Sequence, residues 1–558
     1  MTDEVNALAA EYFDYLLQAW PTWGHIMGNY QHAELFDDAS RAGEDDEIRT
    51  RRSFADRAEA IEPDGLSPQD AITREMIVFD GRRNADILDS RFAEFDVDPI
   101  FGQAAGLPVR WPKLPIPDAD VAEAMVAKTH GVAKNFRDSA DRLREGVARN
   151  RTPAAFACDE TVAQIDAWLA KPVDEDPLLD TSEPHGVADP DAWRGRIRDV
   201  VEREVRPAMA AYRDTIRDEV RPHARDDDHV GLTWLADGDR DYDRMVRYHT
   251  TLATSAREIH DIGLRQIEKL AAEYRELGPE VLGTSDVAEI FRRLREDPAL
   301  HHTNGPDIVA ASKAALAKAT AAMGDWFGIL PKAGCDVEET QSGAIAFYFP
   351  PAKDGSRPGV FFMNTSDPEG WGRYQIEATS YHEGIPGHHL QLAISTELTT
   401  IPEFRKRAFI AAYGEGWGLY SERLADEMGI YTTPLDRMGM LEADSMRACR
   451  LVVDTGMHAL GWSRQQAIDY MVANSPMAVG HVTAEIDRYA VTPGQALAYM
   501  IGRLEIQRMR REAEEALGER FSIQGFHDTV LGSGLMPLPV LDRVVRDWVE
   551  GQRAAVPA

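Results

Sequence analysis

The chain has 558 residues and a formal net charge of −33, with 94 acidic residues against 61 basic ones. A nucleic-acid interface needs a surplus of Lys and Arg, so this balance argues against nonspecific binding to DNA or RNA. The hydrophobic fraction of 44% is close to that of ordinary globular proteins, which excludes a disordered chain and predicts a sizeable core.

The cysteines and the N-terminus indicate the compartment. The three cysteines lie far apart and form no CxxC pair, which excludes a cysteine zinc knuckle and disfavours a disulfide framework. The first twenty residues carry acids where a signal peptide carries bases. No stretch of about 18 residues is apolar and without charged side chains, as a membrane-spanning helix would be. We therefore expect a cytoplasmic protein with no membrane and no nucleic-acid partner, and the sequence leaves its oligomeric state unknown.

Apolar residues recur at three- and four-residue spacing along most of the chain, which predicts a mainly α protein. Helix starts are indicated at Ser67, Thr152 and Thr492, where a capping residue precedes proline and polar residues. The helical periodicity is clearest over Val121 to Leu143, Val200 to Tyr212, Tyr248 to Leu277 and Phe404 to Met428.

The stretch from Lys171 to Asp191 is rich in proline and acid, which favours an exposed connection over a packed element. We therefore predict an N-terminal helical part over 1–170, a linker or lid over 171–195 and a second helical part over 196–558. The three parts are expected to form one body or two closely joined lobes.

Two β-rich runs interrupt the helical pattern. Ala344 to Phe349 and Gly359 to Asn364 flank a turn that contains Asp354-Gly355. This pattern predicts a β-hairpin over 343–364, just before the segment that carries the chemistry.

The segment YHEGIPGHHLQ, from Tyr381 to Gln391, contains the residue types of a hydrolytic zinc site. Such a site needs about three protein ligands, an open position for water and a nearby general base. His382 supplies one ligand and Glu383 the base. The familiar zincin spacing places a second histidine four residues after the first, where this chain has Pro386.

The second histidine ligand is left open between His388 and His389. On an uninterrupted helix His388 would lie about 240° round the axis from His382, and His389 about 10.5 Å along it. If His382 and one of these histidines bind the same zinc ion, the helix has to be distorted between them, which Pro386 and Gly387 permit. The alternative is a chance His-Glu pair on a solvated helix that breaks at PGHH.

A second helical segment begins near Ala411 and carries Glu415 and Glu422 on one face, among aromatic residues. An acid in so apolar a setting is costly unless it is paired or bound to metal. We predict Glu415 as the third ligand and Glu422 as its substitute, with an exposed acid as the alternative for Glu415.

Several residues further along the chain are candidates for stabilising an oxyanion. Arg450, Asp454 and His458 share a helix face, where Asp454 either orients His458 or belongs to a buried ion-pair ladder. Tyrosine and arginine serve in transition-state stabilisation as well as in packing. The remaining candidates are Arg488, Tyr489, Gln495 and Tyr499.

Four motifs occur in the order HEGIPGHHLQ, EGWGLYSE, DTGMHALGWS and PGQALAYMIG. Together they resemble the bacterial family described as domain of unknown function 885, and the likeness runs from PTWGHIMG to the C-terminal helices. That family is similar to the gluzincin metallopeptidases, the group of thermostable carboxypeptidase and angiotensin-converting enzyme. The resemblance implies a single gluzincin-like catalytic unit over 1–558, in which a large helical body encloses a deep cleft.

The resemblance also implies the roles of individual residues. It implies one zinc ion held by His382, His388 and Glu415, in a metal site within 381–422, with Glu383 as the general base. Zincin peptidases bind extended substrates against an edge strand, so Gly359 to Asn364 is expected to be that edge. Asn364 is then expected near the scissile bond, and Phe362 and Gln495 are expected to contact the substrate. An ordinary structural hairpin is the alternative.

The sequence thus predicts a zinc-dependent metallopeptidase that cleaves short peptides, in the manner of a carboxypeptidase or dipeptidase. Glu383 is expected to assist the attack of water, and Arg488 to hold a terminal carboxylate. The candidates for stabilising the oxyanion are Tyr499, Tyr489, Arg488 and His458. The alternative functions are a metallohydrolase or metal-assisted lyase acting on a small amide or specialised metabolite, and a non-catalytic helical binding scaffold.

Overall fold

A computed structural model describes residues 2–352, 357–408 and 410–554. These residues form 23 α-helices and one three-stranded sheet, so the prediction of a mainly α protein is confirmed. The predicted turn at Asp354-Gly355 lies outside the described residues. Within the same ranges, every helix is too short or too polar to span a lipid bilayer.

The chain divides into two compact units that do not follow the predicted order along the sequence. The first unit comprises Met1–Gly65, Ile77–Arg244 and Leu460–Gln465, and the second comprises Leu66–Met76, Met245–Ala459 and Gln466–Ala558.

The first unit is helical throughout. Its central helix, α6, begins after Asp118, whose side chain accepts a hydrogen bond from the backbone N–H of Val121, and it buries one apolar stripe against α8 and α9. Short π-helical turns, Val201–Val205 and Thr215–Val220, follow α8 and α9. The helices that contribute to this unit are α1 Thr2–Ala19, α2 Pro21–Ile26, α3 Arg41–Glu59, α4 Pro68–Asp89, α5 Gln103–Arg110, α6 Ala119–Ala148, α7 Ala155–Leu169, α8 Pro190–Val200, α9 Arg206–Asp214 and α10 Gly238–Thr250.

The predicted linker or lid over 171–195 lies inside the first unit. About half of its residues are exposed, but a few side chains are anchored in the core. Leu178 is fully buried, and its backbone carbonyl accepts a hydrogen bond from the indole of Trp111. Asp176 is also buried and accepts from Trp168 and Arg206. Proline and acid disfavour a helix without preventing single residues of a segment from packing, and a linker or lid over 171–195 stays a prediction.

The second unit contains every residue proposed from the sequence for chemistry. Two of its helices, α17 and α21, pack closely, and a Cβ on Gly416 would lie 2.6 Å from Cα of Gly502. Glycine at both positions lets the two backbones approach closely. The first part of α4 and the last part of α10 also belong to this unit. Its other helices are α11 Ala256–Leu282, α12 Val287–Glu296, α13 Gly305–Ala322, α14 Gln375–Glu383, α15 His388–Glu397, α16 Glu403–Arg407, α17 Ala411–Glu427, α18 Pro434–Leu460, α19 Arg464–Asn474, α20 Val479–Val491, α21 Ala498–Leu517, α22 Ile523–Leu531 and α23 Leu538–Ala554.

The sheet contains the predicted hairpin and one further strand, in the order β1-β3-β2. The strands are β1 Cys335–Thr340, β2 Ala346–Phe349 and β3 Gly359–Asn364. β2 pairs with β3 antiparallel, which confirms the hairpin, and β1 pairs with β3 in parallel, with Val337 opposite Phe361. Because β3 is central, the prediction that Gly359 to Asn364 forms an edge was wrong; β1 and β2 are the edges.

Some predicted helix starts differ from those of the structure. Asp70 donates its backbone N–H to the Ser67 hydroxyl, as expected for a cap. Thr492, however, lies at the C-terminal end of α20, and α21 begins only at Ala498, after a short 3₁₀ turn. The predicted helix over Tyr248 to Leu277 is interrupted before Ser255, which forms a capping box with Glu258.

Candidate metal centre

The chain breaks between α14 and α15, at the residues that the sequence marks for distortion. α14 ends at Glu383, the Ile385–Pro386 peptide bond is cis, and α15 begins at His388. A Cβ on Gly387 would lie 1.9 Å from the carbonyl oxygen of His382, so only glycine fits this close approach. The predicted local distortion is confirmed.

This break brings together His382, His388 and Glu415, whose ligand atoms all lie within 4.8 Å of one another. The two imidazole rings are nearly perpendicular, with centroids 4.8 Å apart. Oε2 of Glu415 lies 3.6 Å from Nε2 of His382 and 3.3 Å from Nε2 of His388. Three nitrogen and oxygen donors therefore converge from three different helices.

Helix α17 fits closely against this cluster. It carries Glu415, and one turn later a Cβ on Gly418 would lie 2.8 Å from Nε2 of His382. The indole of Trp417 donates to the carbonyl of Pro386 over 2.9 Å, and the Ser421 hydroxyl donates to the carbonyl of Tyr381 over 3.0 Å. α17 thus holds both sides of the break in α14–α15 while presenting Glu415 to the histidines.

The protonation of these groups follows from their contacts. Burial lowers the pKa of His382, but hydrogen bonds to Glu415 and Glu422 outweigh burial and raise it to about 9. Burial would raise the pKa of Glu415, whereas the two histidines hold it well below its usual range. Without a metal ion, these contacts favour the ionised carboxylate of Glu415 beside the protonated ring of His382.

The donor set fits a zinc ion. Ligands about 2.0–2.1 Å from a tetrahedral ion lie roughly 3.3 Å apart, close to the separations that Glu415 makes with each histidine. A metal ion takes the place of the protons that histidines otherwise carry, so the buried cluster suits either state. Two imidazoles and one carboxylate also leave a coordination position for water, as in catalytic zinc sites.

His389 and Glu422, which the sequence offered as substitute ligands, lie outside the cluster of His382, His388 and Glu415, called the metal cluster below. Nδ1 of His389 lies 2.9 Å from the Tyr348 hydroxyl and Nε2 lies 3.1 Å from the carbonyl of Ala333, so both ring nitrogens are engaged. Burial lowers the pKa of His389 to about 4. Oε1 of Glu422 lies 2.7 Å from Nδ1 of His382. His389 therefore ties α15 to the sheet, and Glu422 contacts the side of the His382 ring that faces away from Glu415.

Glu383 is next to His382 and is half-buried. Within the described part of the chain, no donor forms a hydrogen bond with its carboxylate. A carboxylate that is close to the cluster and not bound to another side chain suits a general base.

Tyr499 and Gln495 lie beside the cluster. Burial raises the pKa of the Tyr499 phenol, and the charge of Glu415 raises it further, while a hydrogen bond with Gln495 acts in the opposite direction. The guanidinium carbon of Arg450 lies 4.6 Å from the centroid of the Tyr499 ring. Tyr499 is therefore a predicted oxyanion stabiliser whose phenol is close enough to Glu415 to respond to its charge.

The other predicted stabilisers are engaged elsewhere. Arg488 donates to Glu485 through Nε and Nη2 and to Gln495 through Nη1. Tyr489 is fully buried, and its hydroxyl contacts Arg450 and Glu485. His458 is also fully buried, with Nε2 2.9 Å from the carbonyl of Tyr489. The structure gives Tyr489 and His458 packing contacts, and an oxyanion role for either residue stays a prediction.

The predicted substrate contacts on β3 have structural partners. The Asn364 amide donates to the carbonyl of Gly343, and its side-chain oxygen accepts from Ser366. The ring of Phe362 stacks on Phe347 with centroids 5.0 Å apart. β2, an edge strand, packs against α14. β2 is therefore the edge strand that packs against the helix carrying His382.

Two residues of the site escaped the sequence reasoning. Nη2 of Arg447 lies 3.8 Å from Oε1 of Glu422, and the Tyr348 hydroxyl holds His389. Arg447 precedes Arg450 by three residues on α18, so helical spacing was a signal for it. Nothing in the sequence around Tyr348 indicates its contact with α15.

Residues 21–545 match the family described as bacterial protein of unknown function (DUF885). The chain belongs to this family. Two solved structures share the fold of the DUF885 chain. One, a "putative lipoprotein" from Colwellia psychrerythraea, is 24% identical, covers 99% of each chain and has a TM-score of 0.90. The other, a "putative lipoprotein of unknown function" from Shewanella oneidensis, is 17% identical, covers 97% of this chain and 99% of its own, and has a TM-score of 0.77.

At these identities the two structures bear on the fold alone. No curated protein matches the chain significantly. The function therefore has to be argued from the site itself.

Proposed function

We propose that this DUF885 protein is a zinc-dependent metallohydrolase that cleaves short peptides. The observation that carries the proposal is the convergence of His382, His388 and Glu415, with ligand atoms within 4.8 Å of one another. Two histidines followed by a glutamate on the next helices resemble the ligands of gluzincin metallopeptidases, and this likeness is part of the proposal. The cytoplasmic location stays a prediction.

His382, His388 and Glu415 would hold the ion. When bound, zinc supplies Lewis-acid chemistry, lowering the pKa of a water molecule and polarising a carbonyl group. Glu422 accepts a hydrogen bond from Nδ1 of His382 and so keeps Nε2 directed at the cluster. Arg447 lies 3.8 Å from the same carboxylate oxygen and places a positive charge beside it.

Glu383 is the proposed general base. Its carboxylate accepts a proton from the attacking water and delivers that proton to the amine that leaves. The Tyr499 hydroxyl is the proposed donor to the oxyanion, because it lies beside Glu415 and its neutral form is favoured by burial.

The proposed binding edge for an extended peptide is β2. Strand addition supplies main-chain hydrogen bonds without selecting particular side chains. β2 is an edge strand packed against α14, and Ile345 and Phe349 at its ends expose large apolar side chains. Exposed apolar groups along a free strand edge favour an apolar partner over solvent.

Replacement of Glu383 tests the proposal. We expect Glu383→Gln to retain zinc, measured by elemental analysis of the purified protein, and to lose cleavage of a peptide mixture followed by mass spectrometry. Glu427→Gln, on the exposed end of α17, is the matched control and should cleave as the wild type does. A zinc-loaded Glu383→Gln variant with full activity contradicts the assignment.

The wild-type protein distinguishes the alternatives in the same experiment. Zinc at about one ion per chain without any peptide cleavage favours a hydrolase or lyase acting on a small amide. Purified protein that neither contains nor takes up zinc favours the non-catalytic scaffold.

A further inference from the structure

Two arginines of α18 flank the Tyr499 ring next to the metal cluster. The guanidinium carbon of Arg450 lies 4.6 Å from the ring centroid and that of Arg447 lies 6.0 Å from it. Arg447 also contacts Glu422, the carboxylate that orients His382. Arg450 is therefore separated from the proposed reaction centre by one aromatic ring.

The guanidinium of Arg450 is only partly satisfied. Its Nε donates to the Tyr489 hydroxyl over 2.6 Å and its Nη2 donates to Glu485 over 2.8 Å. Its Nη1 is buried and forms no hydrogen bond within the described residues. The side chain as a whole is only 7% exposed. A charged donor group buried without a partner is costly, which indicates that a ligand completes it.

Arg488, the residue that the sequence suggested for a substrate carboxylate, differs in this respect. All three of its guanidinium nitrogens already donate, two to Glu485 and one to Gln495. A carboxylate would have to displace one of these bonds to reach Arg488. Nη1 of Arg450 has no hydrogen bond to give up, so a carboxylate would have to move only the groups that cover this nitrogen.

The charges around Arg450 are mixed. Arg450 and Arg488 share the carboxylate of Glu485, and Arg447 contacts Glu422 and feels the charge of Glu442. A carboxylate brought by a substrate would therefore be held by its hydrogen bond to the unpaired guanidinium nitrogen, the charge-assisted contact that arginine offers to carboxylates, and not by an excess of positive charge.

We propose that Nη1 of Arg450 binds a carboxylate of the peptide substrate, close to the bond that is cleaved. This inference rests on the proposed function and makes it narrower, since it predicts preference for acidic termini over neutral ones. The carboxylate is either the C-terminal one, as for a carboxypeptidase, or that of an Asp or Glu side chain next to the scissile bond.

Three peptides of the same length separate these sources: a free acid without acidic side chains, its C-terminal amide, and an amide whose last residue is Glu. We expect the wild type to cleave the free acid with a kcat/KM about 10- to 100-fold above that of the neutral amide. Efficient cleavage of the Glu amide identifies a side-chain carboxylate, and poor cleavage identifies the terminal one. Equal rates for all three peptides overturn the inference.

Variants locate the preference. Arg450→Gln should bring the ratio of free acid to amide close to one, and Arg450→Lys, which keeps a cation beside Glu485, should lower it while preserving the fold. Arg437→Gln is the matched control, because Arg437 lies on the same helix and pairs with Asp426 at the surface. An unchanged ratio in a folded Arg450→Lys or Arg450→Gln protein contradicts the assignment to Arg450.

A binding measurement keeps the inference distinguishable from the proposed function. Calorimetry with zinc-loaded Glu383→Gln protein should give a lower Kd for the free acid than for the neutral amide. Equal Kd values for the free acid, the neutral amide and the Glu amide, with cleavage by the wild type intact, overturn the carboxylate site and leave the peptidase standing. Neither binding nor cleavage of any peptide overturns both.

Discussion

Nδ1 of His382 lies 2.7 Å from Oε1 of Glu422, and both side chains are buried. This contact determines which nitrogen of the ring faces His388 and Glu415. A carboxylate behind a histidine ligand fixes the tautomer of the ring and raises its basicity toward a metal. Glu422, which the sequence offered as a substitute ligand, therefore acts on the site through His382.

We expect Glu422→Gln to weaken zinc binding by about 10- to 100-fold, because the neutral amide cannot stabilise the metal-facing imidazole as a carboxylate does. Competition with a chromophoric chelator measures the Kd of each variant. Glu427→Gln on the same helix should bind zinc as the wild type does. Equal zinc affinity in Glu422→Gln and the wild type would rule out this positioning role.

We expect Gly418→Ala to weaken zinc binding by about tenfold or more, on the scale of other changes that reorient a ligand. The added methyl group would lie 2.8 Å from Nε2 of His382 and would have to displace the ring. The same chelator competition measures the effect. Gly480→Ala, whose Cβ meets no atom within 4 Å, is the control. Wild-type affinity in Gly418→Ala would show that the ring has room to move.

We expect Asp444→Asn to destabilise the protein mainly near neutral pH. Burial would raise the pKa of Asp444, but Arg423 and Arg503 hold it below its usual value. A carboxyl whose folded-state pKa is lowered contributes stability above its unfolded pKa of about 3.9, and this contribution is lost as the pH falls through the folded-state pKa. The loss at pH 7 should be about 3–5 kcal/mol, the scale for breaking a buried ion pair.

Thermal unfolding of wild type and Asp444→Asn as a function of pH measures this effect. The difference in Tm should narrow as the pH falls below about 4. Asp426→Asn, which breaks the surface pair with Arg437, should change stability by about 0–1 kcal/mol. A Tm difference for Asp444→Asn that stays constant from pH 7 to pH 3 is the opposite of the expected result.

We expect Tyr499→Phe to lower kcat by about 100-fold or more with little change in zinc content, as for the loss of one oxyanion donor. Tyr489→Phe should leave kcat nearly unchanged and lower Tm, because the Tyr489 hydroxyl is buried against Arg450 and Glu485. Steady-state kinetics on one peptide compares the two variants. A larger loss of kcat in Tyr489→Phe than in Tyr499→Phe would indicate that Tyr489, and not Tyr499, is the oxyanion donor.

Much of the metal cluster is predictable from the sequence because its residues carry strong local signals. His382 and Glu383 are adjacent, and Pro386 and Gly387 mark the break that brings His388 to His382. Helical geometry alone does not decide whether His388 or His389 meets His382, because the path of the chain through a helix break depends on tertiary contacts. The bond between Trp417 and the Pro386 carbonyl is such a contact.

Other features depend on partners distant in the sequence. The β-rich run Gly359 to Asn364 predicted a hairpin, but β1, which makes β3 central, begins 24 residues earlier and adds in parallel. The proline- and acid-rich composition of 171–195 likewise predicted a separate linker or lid. Hydrogen bonds from Trp111 to Leu178 and from Arg206 to Asp176 hold part of this segment in the first unit. The capping box at Ser255 had a readable Ser-x-x-Glu pattern and should have ended the preceding helix.

Anomalous X-ray scattering at the zinc edge, from crystals of protein purified without added chelator, tests the central claim most directly. We predict a single strong peak about 2.0–2.2 Å from Nε2 of His382, Nε2 of His388 and a carboxylate oxygen of Glu415. A peak at His389, or the absence of any peak at these three residues after zinc is supplied, would contradict the account.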